Sequence, residues 1–257
     1  MASANTHMTT YPSLKGRSVM ITGGATGIGA AMVLAFAGQG ARVGFIDIDA
    51  AAGASLAANV QQAGGAAPWF RVVDVTQIDR LKGAIADFAA GGGLDVLVNN
   101  VADDTRHDPL QTNEAAWRGA LAINLDAAFF ASQTAIALMS ATGGAIINLS
   151  SINALTGPPS MPAYVASKAA LLGLTKALAR EYGPRGVRVN AILPGWVVTE
   201  RQLRLWLTPE AEAAWMKDTP LKRRILPDDV ARLALFLGSD DSAMITGQQF
   251  VIDGGRT

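Results

Sequence analysis

The sequence predicts an α/β protein: one doubly wound parallel sheet of about seven strands, in a single domain. Three observations carry that expectation. Short apolar runs alternate with helical patterns from residue 17 to residue 252, the order of strand–helix–strand units. The runs are almost continuously apolar, as in strands buried on both faces, instead of alternating with polar residues. No Pro-, Gly- or Ser-rich linker, internal repeat or low-complexity block divides the 257 residues.

Arg17–Thr22 (RSVMIT) is a β-branched run that ends in Gly-rich chain. Ile28–Gly38 places apolar residues at helical spacing, Arg42–Asp47 (RVGFID) is strand-like, and Ala50–Ala63 is an Ala-rich helix. Pro68–Val73 (PWFRVV), Leu94–Asn99 (LDVLVN), Ala145–Ser150 (AIINLS) and Val187–Leu193 (VRVNAIL) supply four further strands. Helices are expected between them near Ile78–Ala90, over a long pattern at Asn113–Ala141, and over Ala163–Tyr182. A helix near Pro227–Leu237 and a strand at Gln249–Ile252 complete the set. The one long stretch without clear periodicity, about 195–227, is rich in Trp, Arg and Glu and reads as a substrate lid. Residues 1–13 read as an N-terminal extension, a candidate flexible segment, and 14–257 as the catalytic domain.

Composition excludes several classes of function. Lys+Arg and Asp+Glu both number 21, so the net charge is zero, and hydrophobic residues make up 50%. Such a chain is not disordered, and it lacks the basic excess that phosphate neutralisation requires, so no nucleic-acid partner is expected. There are no cysteines, which removes disulfides, thiol catalysis and thiolate metal sites; no metal site is expected. No 18 consecutive apolar residues occur, and Met1–Met8 has neither a basic start nor an apolar core. The expectation is a cytoplasmic protein without a membrane partner. The 27 glycines and 47 alanines imply closely packed backbones.

The glycines cluster usefully. Thr22-Gly-Gly-Ala-Thr-Gly-Ile-Gly29 lies between the first strand and the first helix, with Gly23, Gly27 and Gly29 spaced G-x-x-x-G-x-G. A tight turn there lets backbone approach a pyrophosphate while the helix N-terminus faces its negative charge, which marks a Rossmann-type dinucleotide site. Thr26 and Ile28 belong to the same turn. Asp47 ends the second strand 18 residues beyond Gly29, where a carboxylate pairs with adenosine ribose hydroxyls and repels a 2′-phosphate. NAD is therefore the expected cofactor, with Ile48 beside it. Asp47 could instead cap the next helix, a role Asp49 fills equally well.

Tyr164-Val-Ala-Ser-Lys168 puts a phenol and an ammonium one turn apart on one helix face. A phenol is a poor base near neutral pH; a neighbouring ammonium, or an oxidised nicotinamide, would lower its pKa. Ser150 and Ser151 end the fifth strand, at the sheet edge where open α/β proteins bind ligands. A hydroxyl there can hold the substrate oxygen beside the phenol. Asn124 could anchor a water that relays a proton to Lys168, or be a satisfied buried amide.

Taken in order, these motifs resemble the short-chain dehydrogenase/reductase family over essentially residues 14–255. The matching set also includes Asp74 after the third strand, Asn99-Asn100-Val101-Ala102 after the fourth, Pro194-Gly195 with Thr199, and Asp253-Gly-Gly255. The resemblance implies that Tyr164 is the catalytic base, Ser151 the orienting hydroxyl, Lys168 the pKa-lowering ribose contact and Asn124 the relay anchor. It implies that Asp74 and Val75 frame adenine and that Asn100 ties the sheet to the cofactor. Val101, Ala102, Pro194, Gly195 and Val197 would line the nicotinamide half, with Thr199 at the carboxamide. Where the family has Asn-Asn-Ala-Gly, Ala102 stands for the glycine and narrows the backbone near the ribose. The family also implies a homotetramer.

Three regions should shape the substrate pocket: Asp103–Asp108 with His107, the segment after Ser151 with Asn153, and the lid with Trp196, Arg201 and Trp206. Polar hydrogen-bonders plus aromatic faces suit a polyhydroxylated molecule. The same residues could equally be a solvated loop and lid packing. Tyr11–Gly16, Asp103–His107, Thr199–Gln202, Trp206, Thr208–Glu210 and Leu221–Ile225 resemble bacterial NAD-dependent aldose (xylose-type) 1-dehydrogenases. That resemblance implies oxidation of an anomeric hydroxyl to a lactone. Polyol or 3-oxoacyl oxidoreduction would use the same Ser, Tyr and Lys. A dinucleotide-sensing scaffold would need none of them, and all are intact.

Overall fold

The computed structural model describes residues 9–140 and 143–257. Seven parallel strands form one sheet in the order β3-β2-β1-β4-β5-β6-β7. They are β1 (Ser18–Thr22), β2 (Arg42–Asp47), β3 (Trp69–Val72), β4 (Val96–Asn99), β5 (Gly144–Leu149), β6 (Val187–Pro194) and β7 (Gln249–Ile252). The side on which successive strands are added reverses between β1 and β4, which opens a crevice beyond their C-terminal ends. Thr22, Asn99, Ser150 and Pro194 all end at or beside that crevice.

The apolar runs are continuous because both faces are covered. In β1, Val19 and Ile21 join one core while Met20 joins the other; in β4, Val96 and Val98 part from Leu97 in the same way. The first core packs beneath α1 (Gly27–Gly38) and, after eight further helices along the chain, the late helix over Pro227–Gly238. The second core is closed by α3 (Ile78–Ala90), by Ala127–Leu138 and by Pro162–Tyr182. In chain order the helices are α1, α2 (Ala50–Gln62), α3, α4 (Glu114–Leu121), α5 (Ala127–Leu138), α6 (Asn153–Thr156), α7 (Pro162–Tyr182), α8 (Glu200–Leu205), α9 (Pro209–Lys217) and α10 (Pro227–Gly238).

Three features depart from the sequence pattern. The long pattern at 113–141 is broken by a π turn, Ala122–Asp126, where Ala127 N–H reaches back to the Ala122 carbonyl. The stretch 195–227 is not irregular: it holds α8 and α9, short helices capped by the Thr199 and Thr208 hydroxyls. Their brevity hides them from a periodicity argument. Of the N-terminal extension, residues 1–8 lie outside the described set, but Tyr11 N–H donates to Gln39 Oε1 (2.8 Å) and Ser13 Oγ accepts from Asp240 N–H (3.1 Å).

No apolar run reaches 18 consecutive residues, yet Glu114–Leu138 has a window of mean hydropathy 1.4, enough by length and composition to cross a membrane. Here it lies on the sheet. Ala127, Ala128, Ala131, Ala135 and Ile136 face inward, and Arg118 pairs with Glu114 at its start.

Between the cores runs a buried polar ladder. Asn99 Nδ2 donates to Asn148 Oδ1 (2.8 Å) and Ser132 Oγ (3.0 Å), and Asn148 Nδ2 donates to Thr175 Oγ1 (2.9 Å). It ties β4, β5, α5 and α7 together through the Asn99 and Asn148 amide nitrogens, while Asn99 Oδ1 is buried without a partner among the described residues.

Two glycines test this packing in opposite senses. A Cβ at Gly44 would stand 2.5 Å from Phe88 Cδ2, whereas one at Gly83, exposed on α3, would meet nothing within 4 Å. Gly44→Ala is expected to destabilise by about 1–3 kcal/mol through overpacking. Gly83→Ala is expected to stabilise by about 0.5–1 kcal/mol through helix propensity. Urea unfolding of both variants measures the contrast.

Candidate active site

A cleft of about 1470 Å³ lies along the C-terminal edge of the sheet. That exceeds the ~300–1,000 Å³ of typical small-ligand pockets and leaves room for a dinucleotide beside a substrate.

Its first half is built by the Gly-rich turn. Gly27 takes φ +55°, a conformation that side chains disfavour, and a Cβ at Gly29 would fall 1.9 Å from the Gly23 carbonyl. Only glycine permits α1 to start this close to β1. Thr26 occupies the N-cap position but makes no capping hydrogen bond, so the helix start keeps its capacity for an anion. Asn100 locks the turn from behind: its Nδ2 donates to the carbonyls of Thr22 (3.0 Å) and Gly23 (2.8 Å). Asp47 Oδ2 accepts from Ala25 N–H (2.9 Å) and lines the cleft, while Asp49 caps α2 through Ala52 N–H (2.9 Å). Asp49 thus takes the capping role, and Asp47 faces the cleft. Ile48 stands beside it, 72% exposed, a bare apolar face where adenine needs one.

Further along the same wall, Thr76 donates to Asp74 Oδ1 from its N–H (2.9 Å) and hydroxyl (2.7 Å), which holds the Asp74 carboxyl below the ordinary range. Val75, Val101, Ala102, Pro194, Gly195, Val197 and Thr199 complete the lining. The donor set and the glycine cradle fit a nicotinamide dinucleotide.

The reacting group sits at the end of β5. Lys168 is 1% exposed; its Nζ donates to the Leu149 carbonyl (2.6 Å), and Ser150 Oγ donates back to the Lys168 carbonyl (2.7 Å). This reciprocal pair staples α7 to β5 and leaves Tyr164 one turn away, near enough to the Ser151 hydroxyl to feel it electrostatically. Ser151 Oγ also accepts from Asn153 N–H (3.1 Å), and the Asn153 amide donates to Met161 Sδ (3.4 Å).

In the protein alone, the ammonium does not bring the phenol down. Burial pushes Tyr164 up to about 12; the Ser151 hydroxyl opposes this and the Asp104 charge adds to it. Burial pushes Lys168 down to about 8, with Asp104 opposing. Desolvation outweighs the pairing here, because Lys168 Nζ is turned to Leu149 and lies 5.6 Å from the Tyr164 ring centroid.

The substrate half is a cross-tie between the loop after β4 and α8. Asn124, in the π turn, accepts from Asp103 N–H (2.9 Å) and donates to the carbonyls of Asp103 and Ala120 (both 3.0 Å). Its side chain is therefore a satisfied amide that fixes the loop and does not line the cleft. Arg201 Nη2 bridges Asp103 and Asp104 (3.1 Å each), and Gln202 Nε2 donates to Asp104 Oδ2 (2.8 Å). Trp196 Nε1 in turn holds Gln202 Oε1 (2.8 Å), and its ring meets Trp215 edge-on at 5.6 Å.

Most residues expected at the site come together along this cleft, including Asp103, Asn153, Trp196 and Arg201. His107 and Trp206 do not line it. The His107 ring turns its Nδ1 toward the Thr105 carbonyl (3.3 Å), and Trp206 lies under the Arg106 guanidinium at 4.1 Å. Asp104 and Gln202 stood in the sequence reading only as members of the 103–108 loop and the lid, and the structure makes them the centre of this tie. The signal was available: the doubled carboxylate 103–104 mirrors the Arg201-Gln202 pair that answers it.

With this geometry, the comparisons with known proteins are decisive. Residues 23–257 match the family model described as Enoyl-(Acyl carrier protein) reductase. A probable galactose dehydrogenase, GalD, of Rhizobium meliloti is 45% identical over 247 residues, 95% of this chain and 96% of that protein. The chain belongs to the short-chain dehydrogenase/reductase family. D-xylose 1-dehydrogenase of Caulobacter vibrioides is 42% identical, over 95% of this chain and 97% of the relative. Among solved structures, a short-chain type dehydrogenase/reductase from Mycobacterium ulcerans aligns with a TM-score of 0.90 at 28% identity, covering 96% of this chain and 91% of that one. Enzymes of this family use nicotinamide dinucleotides and act on CH–OH groups.

The buried ammonium makes a thermodynamic prediction. With Lys168 at about 8 against an ordinary 10.5, the folded chain bears the cost of a buried charge below pH 8. It sheds that cost as pH rises from about 8 toward 10.5, because the unfolded chain there holds the extra proton. Lys168→Met is therefore expected to abolish turnover and to remove the rise in stability that wild type shows from about pH 8 toward 10.5 in urea unfolding. A variant that keeps the same rise counts against the assignment of that titration to Lys168.

Proposed function

We propose that the protein is an NAD-dependent aldose 1-dehydrogenase, oxidising the anomeric hydroxyl of a pentose or hexose to a lactone. The observation that carries this reading is the polar wall facing Ser151 and Tyr164: Asp103, Asp104, Asn153, Arg201 and Gln202, with the Trp196 ring beside them. An acyl chain makes no hydrogen bond to such a wall, whereas sugar hydroxyls can use the acceptor sites its internal pairs leave open and sugar C–H faces pack on the indole. Two of the similar proteins are named for galactose and xylose oxidation, which supports the same substrate class. Asp47 in the cleft supports NAD over NADP, since its carboxylate would repel a 2′-phosphate.

Bound NAD supplies the hydride acceptor. Ser151 Oγ holds the anomeric oxygen, and Tyr164 takes its proton as the carbinol C–H bond breaks. Tyr164 serves as a base only once its pKa has fallen from about 12. Lys168, one turn away and already lowered to about 8, is the residue placed to do this when its ammonium leaves the Leu149 carbonyl. Asn124 keeps the loop in register through Asp103; a proton relay through its neighbourhood to Lys168 belongs to the same reading. The exposed aromatic faces of Trp117 (38%) and Phe129 (37%) on α4 and α5 support a subunit interface there, within the homotetramer and cytoplasmic location that belong to the same reading.

Purified protein with NAD⁺ and a panel of aldoses should generate NADH absorbance. Turnover of another alcohol class with none on any aldose overturns the reading. Tyr164→Phe is expected to lower kcat by roughly 10²–10⁴-fold while NADH still binds. Asp47→Ala is expected to raise the NADP/NAD ratio of kcat/KM; an unchanged ratio removes Asp47 from cofactor choice.

A further inference from the structure

We propose that Asp104 is a specificity-determining residue of this cleft: its carboxylate accepts a hydrogen bond from a substrate hydroxyl other than the one being oxidised. The inference rests on the aldose reading above. Asp104 lines the cleft, and its side chain is 22% exposed.

Three bonds hold the carboxylate in place. Oδ1 accepts from Arg201 Nε (3.3 Å) and Nη2 (3.1 Å), and Oδ2 accepts from Gln202 Nε2 (2.8 Å). An ionised carboxylate offers about four lone-pair sites, so one acceptor site on Oδ2 remains. Nor can the Gln202 amide turn over to compete. Trp196 Nε1 donates to its oxygen at 2.8 Å, which obliges the nitrogen end to face Asp104.

The loop itself is fixed one residue earlier, where the Asn124 amide grips both backbone groups of Asp103. Asp104 is thus an acceptor positioned before substrate arrives, with its rotamer already restricted. Its charge is felt at both Tyr164 and Lys168, which places it within Coulombic reach of the reacting oxygen. A sugar whose anomeric hydroxyl sits at Ser151 and Tyr164 has its other hydroxyls a few ångströms away, within the span of this wall. Arg201 neutralises part of the local charge while leaving the acceptor in place.

A role confined to latching α8 to the loop would use the same three bonds, so the test must separate the two. The measurement is kcat/KM with NAD⁺ on the best aldose and on its monodeoxy analogues, for wild type, Asp104→Asn and Asp104→Glu. Wild type is expected to lose roughly 10–100-fold on one deoxy position, the magnitude of a hydrogen bond to a charged group. Asp104→Asn should lose a similar factor on the parent sugar and show no further loss on that analogue. Asp104→Glu, which keeps the charge but shifts the acceptor, should blunt the same discrimination and covers the case in which the Asn variant does not fold. Uniform losses on every analogue, or none on any, overturn the proposal and leave Asp104 as a latch. Failure of wild type on all aldoses, with another alcohol oxidised, overturns the substrate reading instead.

Discussion

The site depends on one buried exchange of hydrogen bonds between a helix and a strand end. Lys168 Nζ donates a hydrogen bond to the Leu149 carbonyl, and Ser150 Oγ donates one to the Lys168 carbonyl. Together they fix the Lys168 turn of α7 to the end of β5 and so set Tyr164 near Ser151; the Ser150 bond holds that turn when the ammonium moves. The ammonium is expensive where it is, buried at 1% exposure. The fold tolerates it because seven strands bury two apolar cores around it. Function here is a local cost offset by the surrounding sheet.

The two halves of the cleft are made by different means. One half consists of strand ends and a glycine turn with no space to vary, since a Cβ at Gly29 would fall 1.9 Å from the Gly23 carbonyl. The substrate half is a tie between two surface segments, made by charged and amide side chains of Asp103, Asp104, Arg201 and Gln202. Such segments can change residues without disturbing the sheet. That division explains how proteins of one fold, similar along their whole length, carry names for different substrates.

Much of this was legible in the sequence, and the reasons differ by region. The presence and sequence of the strands follow from near-continuous apolar runs, and β2, α3 and β7 fall on the expected residues, each with a glycine at or near one end: Gly40, Gly91 and Gly247. The Tyr164/Lys168 pair and Ser151 were legible because one helical turn and one strand end fix their relation. Asn124 was legible as a position only. Both of its roles were open in the sequence, and its side chain is taken up by the Asp103 backbone. α8 and α9 were not legible, being six and nine residues long with caps as their main signal. The direction of the Tyr164 shift was not legible either, because it depends on how deeply the phenol is buried, which spacing along a helix does not reveal.

The wall that faces the substrate also has an optical signature. Three of the chain's five tryptophans, Trp196, Trp206 and Trp215, lie within residues 195–227. Each has a polar or cationic neighbour able to quench or tune it: Gln202 at the Trp196 nitrogen, the Arg106 guanidinium over Trp206, and Arg256 over Trp215. Trp69 and Trp117 sit on other elements, β3 and α4. Two of the five, Trp196 and Trp215, line the cleft, so the protein's intrinsic fluorescence includes two emitters on that wall without any added label.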